Sequence, residues 1–163
     1  MLTQKELLSV LDYDKNSGIF TWKTDRNGGA VAGDVAGCLT KKGYIQIRVL
    51  GSRYFAHRLA WLAVYGKFPS EFLDHKNNNK QDNRICNLRE ATRNQNMQNR
   101  PTFSNNTSGL KGARFESHCN KWRAQIYLNG KNKHLGLFDT AEEAHSAYCS
   151  AAKLHYKEFA NLG

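Results

Sequence analysis

Leu2, Leu7, Leu8 and Leu11 recur at helical spacing until Asn16-Ser17-Gly18 breaks the pattern, which predicts a short N-terminal helix. Residues 19–23 and 44–50 favour strand. In 44–50, Ile45, Ile47 and Val49 alternate with Tyr44, Gln46 and Arg48, and Gly51-Ser52 then predicts a two-residue hairpin turn into 53–56. From His57 to Tyr65 the period lengthens to that of a helix through Leu59, Trp61, Leu62 and Val64, with Gly66 as its stop. Thr92 followed by Gln95 makes a capping box, so a further helix starts there and is limited by Pro101, with Arg93, Asn96 and Arg100 spaced to share one face.

Residues 101–109 are rich in turn formers and hold little to bury, so the domain boundary is placed there, between 1–103 and 104–163. Beyond it, 112–116, 121–128 and 131–138 read as three strands, the last two joined by the hairpin signal Asn129-Gly130. Thr140 with Glu143 caps a closing helix that presents Ala144, Ala147, Tyr148, Ala151 and His155 on one face. The expected fold class is α+β: N-terminal hairpins and helices, then a small three-stranded antiparallel sheet packed on one helix.

Charge narrows the function. Lysine and arginine number 24 against 14 acidic residues in 163, a formal charge of +10, and the excess is present on both sides of Ser104. A bias shared by both segments favours a polyanionic partner over a basic tail on a neutral protein. Cys38, Cys86, Cys119 and Cys149 are too scattered for a zinc ribbon and read as reduced thiols. With no apolar run of membrane-spanning length and no signal-peptide pattern at Met1–Val10, a soluble cytoplasmic protein is expected, in the host cell if phage-encoded.

The chemistry concentrates between Phe72 and Asn96. Asp74-His75, a polar loop, Asn87-Leu88 and then a helix bearing Asn96 occur in order. This stretch resembles the HNH endonuclease motif, two strands and a helix around one divalent metal, here spanning about 70–100. Tyr13-Asp14-Lys15-Asn16-Ser17-Gly18-Ile19-Phe20-Thr21-Trp22-Lys23 and His57-Arg58-Leu59-Ala60-Trp61 are similar to flanks of phage-encoded members. The resemblance implies that His75 is the general base and that Asn87 holds its imidazole. It also implies that Asp74 and Asn96 supply hard oxygens to Mg²⁺, with Mn²⁺ as the substitute, while DNA and water complete the shell. Adjacent strand residues point to opposite sides, so gathering Asp74 and His75 at one phosphate implies a bend or bulge. Asn78, Asp82, Asn83 and Arg84 read as loop-shaping residues.

Leu110-Lys111-Gly112-Ala113-Arg114, 121–126 and 134–144 resemble the ethylene-response-factor type of DNA-binding domain, whose sheet enters the major groove with a helix at its rear. Trp122, Ala124, Ile126 and Leu128 then face the helix, leaving Arg114, Arg123, Gln125 and Tyr127 as the foremost DNA contacts and Lys111, Lys133 and His134 as weaker ones. Arg93 and Arg100 join them as phosphate contacts. Glu116 and His118 stand where the plant domain often carries basic residues, so plant target preferences do not transfer.

Together the resemblances imply a magnesium-dependent phage homing-type endonuclease. It would bind double-stranded DNA as a monomer or weak dimer, use no small-molecule cofactor and leave 5′-phosphate and 3′-hydroxyl ends. The alternatives are a DNA-binding regulator that keeps the scaffold without turnover and a partner-binding protein whose charge is incidental.

Overall fold

The computed structural model describes every residue except Asn27 and Ser104. Its contacts divide the chain into two compact units, Met1–Arg93 and Asn94–Gly163. This division falls ahead of the linker-based boundary at 103/104, which rests on Ser104 and so lies outside the described residues. A polar clasp explains the shift. Lys111 Nζ donates to the carbonyl oxygens of Gln98 (3.4 Å), Arg100 (2.5 Å) and Asn161 (2.9 Å), and Asn161 Nδ2 donates to the carbonyl of Asn99 (3.0 Å). Residues 98–100 are thereby held by the C-terminal part of the chain.

The first unit opens with α1 (Gln4–Val10), whose Thr3 and Glu6 form a capping box that the apolar pattern alone did not announce. β1 (Leu11–Asp14) and β2 (Ile19–Trp22) pair as an antiparallel hairpin. β3 (Cys38–Leu39), β4 (Ile45–Val49) and β5 (Ser52–Phe55) form a three-stranded sheet in that order. α2 (Ala56–Tyr65) follows and ends at Gly66, which takes φ +74° and donates its N–H to the carbonyl of Leu62 at 3.0 Å. β6 (Phe72–His75) and β7 (Leu88–Ala91) close the unit as a two-stranded antiparallel ribbon, with a short 3₁₀ turn at Ile85–Asn87 leading into β7.

The alternation in 44–50 is realised as buried Ile47 and Val49 against exposed Arg48. The β4–β5 turn is Leu50-Gly51, one residue earlier than the sequence suggested, since Val49 pairs with Ser52. Leu50 and Gly51 take φ +46° and +85°, the mirror-image turn whose twist matches the flanking strands. Leu7, Leu11, Phe20, Ile47, Val49, Leu59 and Leu62 are almost wholly buried and make one core from both ends of the unit. Burying each contributes on the order of 1.5–3 kcal/mol before entropy is counted.

In the second unit, α3 (Arg93–Gln98) begins on the last residue of the first and ends before Arg100, so Arg100 does not share a helical face with Arg93 and Asn96. β8 (Ala113–Glu116), β9 (Lys121–Leu128) and β10 (Lys131–Phe138) form an antiparallel sheet in the order β10-β9-β8. Asn129 and Gly130 make the predicted turn at φ +50° and +83°. α4 (Ala141–Tyr156) carries the Thr140–Glu143 capping box. It buries Ala144, Tyr148, Ala152 and Tyr156, with Ala124 and Ile126 buried on β9. The face is rotated from the predicted one: His155 is exposed and Tyr156 takes the inner position, anchored by its hydroxyl on the carbonyl of Tyr127 at 2.5 Å. Among the described residues no helix is long and apolar enough to cross a membrane.

Candidate active site

β6 and β7 pair without a register shift, Asp74 opposite Arg89 and His75 opposite Leu88. No register shift marks the expected bulge; His75 is the last residue of β6, where the chain leaves the strand. Asp74 and His75 are both buried, at 4% and 5% exposure. That is expensive for polar groups unless each is matched.

His75 Nε2 lies 3.2 Å from Asn83 Oδ1, and Asn83 Nδ2 donates to the carbonyl of Gln81 at 3.2 Å, which orients the Asn83 oxygen toward the ring. In the neutral imidazole, Nε2–H donates to Asn83 and Nδ1 carries the lone pair. The family resemblance implied this role for Asn87. Instead, Asn87 Oδ1 accepts from the Asn77 N–H (3.1 Å), while its Nδ2 donates to Asn77 Oδ1 (3.0 Å) and the carbonyl of Asp82 (2.8 Å). Asn87 thus shapes the loop that presents Asn83. Asp82 accepts from Asn77 Nδ2 at 2.7 Å and from Arg84 at 2.6 and 2.7 Å, and those hydrogen bonds hold its carboxyl down at about 2.

The β1–β2 hairpin supports the same point. Tyr13 Oη donates to the backbone carbonyl of Asn83 at 2.8 Å. Gly18 takes φ +76°, and a Cβ there would stand 2.4 Å from the Arg84 nitrogen and 2.6 Å from the Asn83 carbonyl carbon. Gly18→Ala is therefore expected to displace Asn83, lowering stability by about 2–3 kcal/mol and reducing any activity that needs His75 in place. Urea unfolding beside a cleavage assay checks this; an Ala variant as stable and active as the parent would contradict it.

A second imidazole, His57 of the His57-Arg58 flank, stands beside His75, and nothing in its local sequence marks it as a site residue. His57 packs edge-on to His75 with ring centroids 5.2 Å apart and stacks on Phe55 at 5.5 Å; Tyr44 lies 5.4 Å from His57 and 6.1 Å from His75. Its Nδ1 is buried and finds no hydrogen-bond partner among the described residues. Across the ribbon, Asp74 Oδ2 accepts from Arg89 Nε at 2.9 Å and lies 2.8 Å from Arg89 Nη2, a cross-strand ion pair shielded from solvent. Arg89, too, carries no such mark in the sequence; only its place opposite Asp74 in the ribbon reveals it.

With this geometry in place, residues 54–98 match the family model described as HNH endonuclease, a segment of the sequence that includes Asp74, His75, Asn83, Asn87 and Asn96. Protein 3.8 of Escherichia phage T7 is 31% identical over 100 residues, which cover 61% of this chain and 83% of that relative. The chain belongs to the HNH endonuclease family. An uncharacterized HNH endonuclease of Acanthamoeba polyphaga mimivirus is 35% identical over 123 residues, 75% of this chain, and the chain spans 63% of that relative's length. No solved structure is significantly similar to it.

The electrostatics of the HNH segment follow from its burial. Burial draws the His75 imidazole below its ordinary value, opposed by the Asn83 hydrogen bond and the Asp74 charge. His57 is drawn down to about 3, chiefly by burial and then by the neighbouring His75. An unfolded His57 takes a proton near pH 6.5 and the folded one only near 3, so the unfolded state binds more protons between these values and stability falls as pH falls. From pH 7 to 5 the first unit should lose about 2 kcal/mol through His57. Urea unfolding read by Trp22 and Trp61 in a Trp122→Phe background measures it. His57→Phe should flatten most of the difference; an unchanged slope would refute the assignment.

Metal fit can be judged from the donors. Among the described residues no three His, Cys, Asp or Glu side chains gather into a cluster. An aspartate carboxylate and an asparagine carbonyl are hard oxygens, which suit an ion that takes few protein ligands and keeps water and phosphate oxygens. Asn96 is half-buried on α3, in the second unit.

The predicted DNA contacts fare differently. Arg93, Arg100, Arg114, Tyr127, Lys133 and His134 are exposed, while Arg123 and Gln125 are half-buried on the sheet. Lys111 is corrected: its ammonium serves the three carbonyls of the clasp, and burial brings it down to about 8, so it acts as a structural strut. The four cysteines are free thiols, Cys38 and Cys86 exposed.

Proposed function

We propose that this chain is a divalent-metal-dependent DNA endonuclease of the phage homing type, cutting phosphodiester bonds to 5′-phosphate and 3′-hydroxyl ends. The observation that carries this reading is the buried His75, neutral through burial and held in one tautomer by Asn83, inside a segment that matches the HNH family. His75 Nδ1 takes a proton from water as the water oxygen bonds to phosphorus; the bond from phosphorus to the 3′ oxygen breaks, and that oxygen receives a proton from solvent. Asp74 and Asn96 are the proposed metal ligands, and the bound Mg²⁺ or Mn²⁺ would supply charge neutralisation at the phosphoryl oxygens and the departing 3′ oxygen. Arg89 sets the orientation of the Asp74 carboxylate.

The second unit is proposed to act as an ethylene-response-factor type module on double-stranded DNA. Arg114, Arg123, Gln125 and Tyr127 on the sheet face away from α4 would meet the major groove, with Arg100 and Lys133 on phosphate; Arg93, the last residue of the first unit, is proposed as a further phosphate contact. Its three-stranded sheet, with a helix packed behind, supports that placement.

The test is incubation of the purified chain with supercoiled plasmid. Relaxation with Mg²⁺ or Mn²⁺, its loss with EDTA and its return on adding metal are expected, with ends that a ligase joins without prior phosphorylation. DNA binding with no relaxation under any divalent ion would point to a regulator on a retained scaffold and overturn the proposal.

A further inference from the structure

Within the sheet of the second unit, Arg114 on β8 stands directly opposite Arg123 on β9. Like charges so placed repel, and the arrangement needs a counter-charge. Glu116, two residues along β8 and so on the same face, provides it. Its carboxylate lies 2.8 Å from Arg123 Nη2, 3.9 Å from Arg114 Nε and 3.6 Å from His118 Nδ1. The contact with Arg123 is close but not aligned: Glu116 Oε1 and Arg123 Nε are buried and make no hydrogen bond to any described residue. Glu116, His118, Arg123, Gln125, Asn132 and His134 border a shallow cavity of about 420 Å³ on this face. An internal ion pair that is partly desolvated and poorly aligned is one that a better-matched ligand can replace.

We propose that Glu116 is the residue that sets the specificity of this face, and that the cavity takes the major-groove edge of a G·C base pair. Backbone phosphate offers Arg123 an anion but repels the Glu116 carboxylate, so phosphate alone gains little by displacing the ion pair. A G·C pair satisfies both partners: guanine O6 and N7 accept from the Arg123 guanidinium, and the cytosine N4 amino group donates to Glu116. An A·T pair lacks that complementary set. Glu116 thereby suppresses sequence-independent binding by a basic sheet. The inference rests on the proposed DNA-facing role of the sheet and adds what that face prefers.

The experiment measures affinity of the full chain, in EDTA to prevent cutting, for a duplex of dA·dT pairs alone and for one rich in G·C, across a salt series. Glu116→Gln should bind the dA·dT duplex about tenfold more tightly than wild type, steepen its salt slope by about one for each guanidinium released, and lose the preference for G·C. Glu142→Gln, on the first turn of α4, adds the same charge and should change neither duplex more than about twofold. Arg123→Ala added to Glu116→Gln should cancel the gain. If Glu116→Gln fails to fold, Glu116→Asp, whose shorter side chain draws back from Arg123, should show the same trend. Equal effects of Glu116→Gln and Glu142→Gln, or no G·C preference in the wild type, would overturn the inference. Arg114→Ala/Arg123→Ala binding both duplexes as wild type does would instead overturn the DNA-facing role itself.

Discussion

His75→Ala should lower the cleavage rate by about 10²–10⁴-fold while leaving DNA affinity within about twofold of wild type. The imidazole is buried and its tautomer is set by Asn83, so truncation removes the proton acceptor without touching the basic face of the second unit. The pH profile sharpens the test. Because burial lowers the His75 pKa, the neutral, proton-accepting form persists below the ordinary imidazole value, and the acid limb of kcat/KM should lie below pH 6.5. Asn83→Leu removes a hydrogen bond that raises this pKa, so the limb should move lower still while kcat falls, since the ring loses its preferred tautomer. A His75→Ala variant that cuts at the parental rate would end the general-base assignment. An acid limb that ignored Asn83→Leu would show that the two side chains do not act together.

Arg89→Leu should destabilise the first unit by about 3–5 kcal/mol, the largest expected effect on folding of any replacement considered for the β6–β7 ribbon. Arg89 contacts the Asp74 carboxylate through both Nε and Nη2, and the two side chains are 12% and 5% exposed. Removing one ion of a buried pair removes the attraction that offsets desolvation of the other. Asp74→Asn in the Arg89→Leu background should recover part of the loss, because the charge is then gone from both sides, and the double-mutant cycle reports the coupling directly. Urea unfolding by Trp22 and Trp61 fluorescence is again the measurement. A loss under about 0.5 kcal/mol for Arg89→Leu would mean that the pair contributes no more than an exposed one.

The pattern of apolar positions located α2, β4, β9, β10 and α4 to within a residue or two, because helical and strand periods are local properties of consecutive side chains, but α1 stops at Val10 and Leu11–Asp14, inside the helical spacing, is strand β1. Turn chemistry placed Asn129-Gly130 correctly and the β4–β5 turn one residue late. Leu50 has no sequence signal for positive φ and adopts it only because the Val49–Ser52 pairing demands it. The ordered residues Asp74, His75, Asn87 and Asn96 were enough to reach the HNH family, since the motif is written in sequence order.

What the sequence by itself determined, then, was most of the regular elements, though neither β1 nor β3, together with the basic character of both segments and the family. The tertiary structure decided which side chain serves which. Asn83, read as a turn residue, holds the imidazole, and Asn87 holds the loop. His57 closes the wall around His75, Arg89 matches Asp74, and Lys111 is spent on carbonyls. These assignments join residues as far as 70 positions apart, as Tyr13 and Asn83 are. Asparagine, lysine and histidine fit so many local roles that composition and spacing cannot choose among them. The choice is made by burial, which requires each enclosed polar group to find a partner from whatever the packed elements bring within reach.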